Sequence, residues 1–245
     1  MGTVAIVPAR GGSKGIPGKN VIDFCGYPLL AWTVACAQRC SRIDKVYVST
    51  DDAGISKVAE TYGAETIRRP LEISGDTSSS ESALLHACEW ITHRGKRPDT
   101  IVFLQATSPL RETLELEGAL ETFAKGGIDS VFSAAEPEDM LVWLQEGGQL
   151  RSLNYDYSTR KRRQDVDDGR RLWIETGSFY ITNTDVLLNS GNRLGGRISI
   201  WPVPFWKSFE VDSEQSMRIC ASLMREYGLD KLVPRPVNVT QAEER

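Results

Sequence analysis

Thirteen residues near the start of the chain carry the first chemistry. Pro8-Ala9-Arg10-Gly11-Gly12-Ser13-Lys14-Gly15-Ile16-Pro17-Gly18-Lys19-Asn20 hold four glycines, three cations and two prolines. Core packing has no use for that mixture. Glycine lets a ligand approach the main chain, and exposed amides beside Arg and Lys make a cradle for phosphate. Neither common phosphate fingerprint fits. Against G-x-x-x-x-G-K-[ST], Ser13 stands where the first Gly belongs and Asn20 where the hydroxyl belongs. Against G-x-G-x-x-G, Gly11 and Gly12 are adjacent. A second set lies far along the chain, Glu210-Val211-Asp212. Carboxylates two residues apart on an extended segment point the same way. Such a pair either caps the helix that follows or holds a hard divalent cation.

These residues must be positioned by a frame, and the frame is legible. β-rich runs at Thr3 to Val7, Lys45 to Ser49, Glu65 to Ile67, Thr100 to Leu104 and Ser130 to Ser133 alternate with helical patterns. The helices are expected at Leu29 to Cys40, Ile55 to Tyr62, Ser80 to Thr92 and Leu114 to Phe123. Thr50-Asp51-Asp52 reads as a helix N-cap and Gly63 as a C′ residue. This alternation predicts an α/β fold with a mostly parallel, Rossmann-like sheet flanked by helices. Ligands in such sheets bind outside the carboxyl ends of the strands, where the opening loop emerges. Strand character resumes at Ser178 to Thr182 and Arg197 to Val203, and a last helix is expected over Glu214 to Tyr227.

Between about residues 137 and 172 the rhythm breaks. Glu146-Gly147-Gly148-Gln149 predicts a hairpin turn, followed by a polar run through Arg160-Lys161-Arg162-Arg163. Two readings stand for this stretch: a solvated excursion, or an arm that reaches a second subunit. The chain of 245 residues is otherwise expected to form one domain.

Composition narrows the function. A net charge of −4 gives no global basic field for nucleic acid. No apolar run approaches the roughly 20 residues needed to cross a bilayer, and the start of the chain lacks a signal-peptide pattern. The five cysteines show no metal-type spacing, which suggests core packing in a reducing cytoplasm. His86 and His93 read as ordinary helix residues.

The opening A-R-G-G-S-K-G-I-P-x-K-N pattern resembles the acylneuraminate (sialic acid) cytidylyltransferases. Four further stretches resemble that family in order: Arg69-Pro70 with Asp76-Thr77-Ser78-Ser79-Ser80; Leu104-Gln105-Ala106-Thr107-Ser108-Pro109-Leu110-Arg111; Arg162-Arg163-Gln164-Asp165 with Thr176-Gly177-Ser178-Phe179-Tyr180-Ile181; and Glu210-Val211-Asp212. Ala106 replaces a family Pro and Thr176 a family Asn, so the departures fall on the acceptor side.

The resemblance implies transfer of CMP from CTP to the anomeric 2-hydroxyl of a nonulosonic 2-keto-3-deoxy sugar acid, with release of pyrophosphate. It implies that Ala9, Arg10, Gly11, Gly12, Ser13, Lys19, Asn20, Arg69 and Ser80 hold the nucleotide, with Lys14 a rim charge. Gln105, Thr107, Arg163 and Tyr180 would meet the sugar acid, and Glu210 and Asp212 would hold Mg²⁺. Arg10, Lys19 and Asp212 are the expected catalytic residues, and a homodimer through the arm is the expected assembly. The alternatives are an octulosonate cytidylyltransferase, a sugar-1-phosphate nucleotidyltransferase, and a non-catalytic nucleotide sensor.

Overall fold

The computed structural model describes residues 2–95, 97–137, 141–160 and 171–237. In chain order its elements are β1 (Thr3–Pro8), a two-residue pair β2 (Asp23–Phe24) and β3 (Tyr27–Pro28), α1 (Leu29–Arg39), β4 (Lys45–Thr50), α2 (Ala53–Thr61), β5 (Glu65–Arg68), α3 (Ser80–Arg94), β6 (Thr100–Leu104), α4 (Thr113–Ala124), β7 (Ser130–Ala135), β8 (Trp143–Glu146), β9 (Gln149–Ser152), β10 (Ile174–Asn183), α5 (Thr184–Ser190), β11 (Ile198–Pro202) and α6 (Glu214–Glu226).

Seven strands form one sheet in the order β11-β7-β10-β6-β1-β4-β5. Every pairing is parallel except those of β10, which runs antiparallel to both β6 and β7. β1 lies near the middle, and Val4 to Val7 are all buried. A parallel strand covered on both faces needs such an unbroken apolar run. Its side chains then divide by the period of two. Ala5 and Val7 join a core with residues of α1, α2 and α4, while Val4 and Ile6 join one with Leu84, Ala87, Cys88 and Ile91 of α3.

A third apolar cluster lies off the sheet. It unites Ile16 of the opening loop, Phe24, Leu29 and Trp32, Leu110, Val211, and Cys220 and Met224 of α6. Ile16 and Val211 are thus fastened into one small core, although each is flanked by residues of the polar loop or the carboxylate pair. Burying an aliphatic side chain of this size is worth about 1.5–3 kcal/mol, so this cluster holds the phosphate-type loop against the acidic segment.

The expected strands and helices are present, with no end shifted by more than four residues. The hairpin is also present: β8 and β9 pair antiparallel around Gly147 and Gly148, at φ +57° and +81°. Positive φ at both central residues is what a type I′ turn requires. β10 begins earlier than the apolar pattern indicates. Its register slips between Glu175 and Tyr180, and the polar and glycine residues of that bulge hide the strand's first half. The β2–β3 pair and the seven-residue α5 were too short to announce themselves. No helix among the described residues is long and apolar enough to cross a membrane.

Candidate active site

The opening loop closes on itself. The Ala9 amide donates to the Ser49 carbonyl at 2.9 Å, prolonging the β1–β4 ladder, and the Asn20 side-chain amide donates to the Arg10 carbonyl at 3.1 Å. Asn20 is buried and therefore ties the two ends of the loop together. Gly15 lies against the acidic segment so closely that a Cβ there would overlap the Asp212 carbonyl oxygen. No larger residue fits.

Loop, strand ends and acidic segment together enclose a cleft of about 320 Å³. Of the residues expected from the sequence, it is lined by Ala9, Arg10, Ser13, Lys19, Asn20, Ser80, Gln105, Thr107 and Asp212, joined by Lys14 and Phe103. The position, outside the carboxyl ends of β1 and β6 and at the first residue of α3, is where an open α/β sheet receives ligands.

Each cleft cation faces a carboxylate. The Lys19 ammonium lies 2.9 Å from Asp212. Arg10 donates to the Gly75 carbonyl at 2.6 Å and sits 3.2 Å from one Asp76 oxygen, while Lys14 is 2.8 Å from the other. Positive groups are thus held in readiness by internal anions.

The acidic pair is set by the residue between them. Val211 is buried, and its amide donates to the Thr107 carbonyl at 2.8 Å. This bond joins the segment to the loop after β6. Asp212 remains largely exposed at the cleft, and its amide donates to Ser216 at the start of α6. Glu210 turns inward and accepts from the Ser108 hydroxyl at 2.5 Å. Burial raises its pKa above the ordinary glutamate value; Ser108 opposes the rise and the Asp212 charge adds to it. Gly177, at φ +69°, backs this pair: a Cβ there would overlap the Glu210 carboxylate and the Gln105 amide.

Among the described residues no three metal-binding side chains cluster. The described residues alone build no closed cage. Two hard carboxylates beside a cationic cradle do fit a divalent cation that completes its shell with phosphate oxygens, and Glu210 is a half-buried carboxylate whose desolvation a cation would relieve.

Several expected residues lie elsewhere. Gly11 and Gly12 are not in the cleft lining. The Gly11 amide donates to Asp51 at 3.1 Å, because the strand end turns toward α2 there. Arg69 is buried and donates to the Ser49 carbonyl at 3.1 Å, with its Nε lacking a partner. Its position at the end of β5, where its own amide continues the pairing with β4, keeps it out of the cleft lining. Tyr180 is likewise buried, stacked on Phe103 and Phe132, with its hydroxyl on Glu175. The register of β10 on β6 aims it into the sheet face, so it supports Phe103 rather than lining the cleft. Arg163 lies outside the described residues.

Two residues of the quoted motifs take roles that the sequence reading did not assign. Arg111 is buried and donates to Ser178, to Thr33 and, at 3.0 Å, to the Gln105 carbonyl. It fixes the loop that carries Gln105 and Thr107. Asp76 is the shared partner of Arg10 and Lys14. A buried cation after P-L and an aspartate ahead of a serine run were the available signals.

The sequence model of the cytidylyltransferase family matches residues 4–149. The chain is similar to N-acylneuraminate cytidylyltransferase of Oncorhynchus mykiss, with 41% identity over 88% of this chain and 46% of that protein. It is 29% identical to pseudaminic acid cytidylyltransferase of Campylobacter jejuni, over 92% of this chain and 97% of that protein. The chain spans about half the length of the fish relatives it matches, 46% and 51% of two of them. In fold it resembles CMP:2-keto-3-deoxy-manno-octonic acid synthetase complexed with CTP, at a TM-score of 0.67 and 18% identity, over 93% of this chain and 100% of that one.

Proposed function

The chain belongs to the cytidylyltransferase family, and on that premise we propose that it transfers CMP from CTP to the anomeric 2-hydroxyl of a nonulosonic (sialic-type) sugar acid. The observation that carries this reading is the cleft itself. Arg10, Ser13, Lys14 and Lys19 of the opening loop line it together with Gln105 and Thr107 of the loop after β6 and with the largely exposed Asp212.

In this reading the anomeric oxygen forms a bond to the α-phosphorus while the bond from that phosphorus to the β-phosphate bridging oxygen breaks. Pyrophosphate leaves in line. Such transfer depends on positioning and charge neutralisation. Arg10, Lys19 and Ser13 hold the triphosphate and steady the charge that grows on the leaving pyrophosphate. Ser80, at the first residue of α3, faces the nucleoside side. Gln105 and Thr107, braced by Arg111, orient the acceptor hydroxyls. Asp212 is placed to accept the proton of the attacking hydroxyl. A divalent cation, Mg²⁺ in this reading, held by Glu210 and Asp212 would neutralise charge at the α-phosphate. Arg163 is assigned to the acceptor carboxylate by its motif, because a guanidinium pairs a carboxylate in bidentate fashion.

The hairpin supports a homodimer. Leu141, Val142, Trp143, Leu150 and Leu153 are all exposed on it or beside it, and apolar groups gathered in this way mark an interaction surface. Five free cysteines accord with a reducing compartment, the cytoplasm in this reading.

The test is pyrophosphate release with Mg²⁺, crossing CTP, UTP, ATP and GTP against free nonulosonic acids, octulosonate and sugar 1-phosphates. The reading predicts release with CTP and a nonulosonic acid only. Release with octulosonate or a sugar 1-phosphate would transfer the assignment to that acceptor. Nucleotide binding without any release would identify a sensor.

A further inference from the structure

Asp76 belongs to no strand or helix. It sits in the loop before α3, yet its two carboxylate oxygens divide between two cleft cations: one lies 3.2 Å from Arg10 and the other 2.8 Å from Lys14. The next residue back, Gly75, gives its carbonyl to Arg10 at 2.6 Å and also accepts from the Ser78 amide at 3.1 Å. The Asp76 side chain is about half exposed, at 47%, and Lys14 is 75% exposed. Nothing in the core requires this aspartate. Its carboxyl is held below the ordinary range, first by Lys14, so at neutral pH it is an anion paired with two cations of the cleft lining.

We infer that Asp76 is an internal competitor for the phosphate cradle, displaced when the triphosphate enters and returning to Arg10 and Lys14 as pyrophosphate leaves. The inference rests on the phosphate-cradle reading of Arg10, with Lys14 at the rim of that cradle. Two features give it mechanical sense. A carboxylate bridging two cations occupies the place of two phosphate oxygens, so the cradle is never left as bare, mutually repelling charge. The bond is also weak enough to exchange, because ion pairs this exposed contribute little. A cradle that held pyrophosphate without competition would release it slowly, and product release limits many enzymes. The displaced loop runs directly into Ser79, which caps α3, and Ser80, which lines the cleft. Nucleotide entry is thereby linked to the start of that helix.

Calorimetric titration of pyrophosphate and of CTP, with and without Mg²⁺ and without acceptor, tests this. Wild type is compared with Asp76→Asn and with Glu226→Gln, which removes one negative charge at the exposed far end of α6. Asp76→Asn should bind pyrophosphate about threefold to tenfold more tightly than the control, a range set by exposed ion pairs. Pyrophosphate should inhibit turnover more strongly by the same factor. Equal affinity in Asp76→Asn and the control would overturn the inference. So would weaker binding confined to the Mg²⁺ titration, which would make Asp76 a metal ligand instead. Failure of the wild type to bind pyrophosphate or CTP would refute the cradle reading itself, a separate result from equal binding by all three proteins.

Discussion

Gly15 rests on the main chain of Asp212, so that the phosphate-type loop and the acidic segment meet at a point where no side chain fits between them. The two are 197 residues apart in sequence. Replacement by alanine must push one of them aside. Gly15→Ala should lower kcat/KM about a hundredfold, the usual effect of an ångström-scale misplacement of catalytic groups. Its melting temperature should fall by only a few degrees, since Ile16 and Val211 keep their shared core. Steady-state kinetics beside a thermal melt checks this. An unaltered rate would show that the contact does not position Asp212.

Lys19 and Asp212 hold each other at 2.9 Å, but their losses should differ. Lys19→Ala removes a phosphate partner, so the KM for CTP should rise and kcat should fall. Asp212→Ala removes the proposed metal and proton partner, so kcat should collapse while CTP binding without metal is kept or strengthened. Binding of CTP in chelator, set against turnover in Mg²⁺, separates the two. Near-normal turnover by Asp212→Ala would remove Asp212 from the mechanism.

Glu210 makes the site costly to hold in the metal-free state. Its folded-state pKa lies above the ordinary value of 4.5, chiefly through burial. A raised carboxyl pKa means that the folded state binds the proton more tightly than the unfolded chain. Its contribution is therefore complete below the unfolded value and is lost as pH rises through the folded one. In chelator, Glu210→Gln should melt higher than wild type near neutral pH, with the gap closing below about pH 4.5. Mg²⁺ should then raise the wild-type melting temperature more than that of the variant. The variant should be nearly inactive. A melt in which Glu210→Gln is the less stable protein at neutral pH would contradict this account.

Arg111 braces the acceptor wall from within the core. Arg111→Ala removes the guanidinium bonds to the Gln105 carbonyl and to the Ser178 hydroxyl and carbonyl. Each such loss costs about 1–3 kcal/mol, which for a chain of this size corresponds to a fall of several degrees in melting temperature. The KM for the acceptor should rise more than that for CTP, since Gln105 and Thr107 move while Lys19 does not. Equal changes in both would make Arg111 a purely structural residue.

These residues also show where sequence reasoning succeeds and where it stops. The Val4–Val7 run, the Asp52 cap and the Gly147-Gly148 turn are local signals, and each maps directly onto its element. The cleft members of the opening loop were legible because four glycines beside three cations have few other uses. Arg69 and Tyr180 stand outside the cleft lining, because a motif states which residues travel together but not which way a side chain points. One is turned to the Ser49 carbonyl and the other into a stack with Phe103. Asp76 and Arg111 were visible as letters. Their work depends on partners 66 and 67 residues away, Arg10 and Ser178, and such pairings exist only after folding.

The central claim is that an anomeric hydroxyl oxygen attacks the α-phosphorus of CTP. The most direct test uses a nonulosonic acid carrying ¹⁸O in its 2-hydroxyl, with CTP and Mg²⁺, followed by ³¹P spectroscopy. The account predicts a new phosphodiester signal with the isotope shift of a bridging ¹⁸O, appearing together with pyrophosphate. Free CMP without the label, or a phosphodiester with no isotope shift, would contradict it.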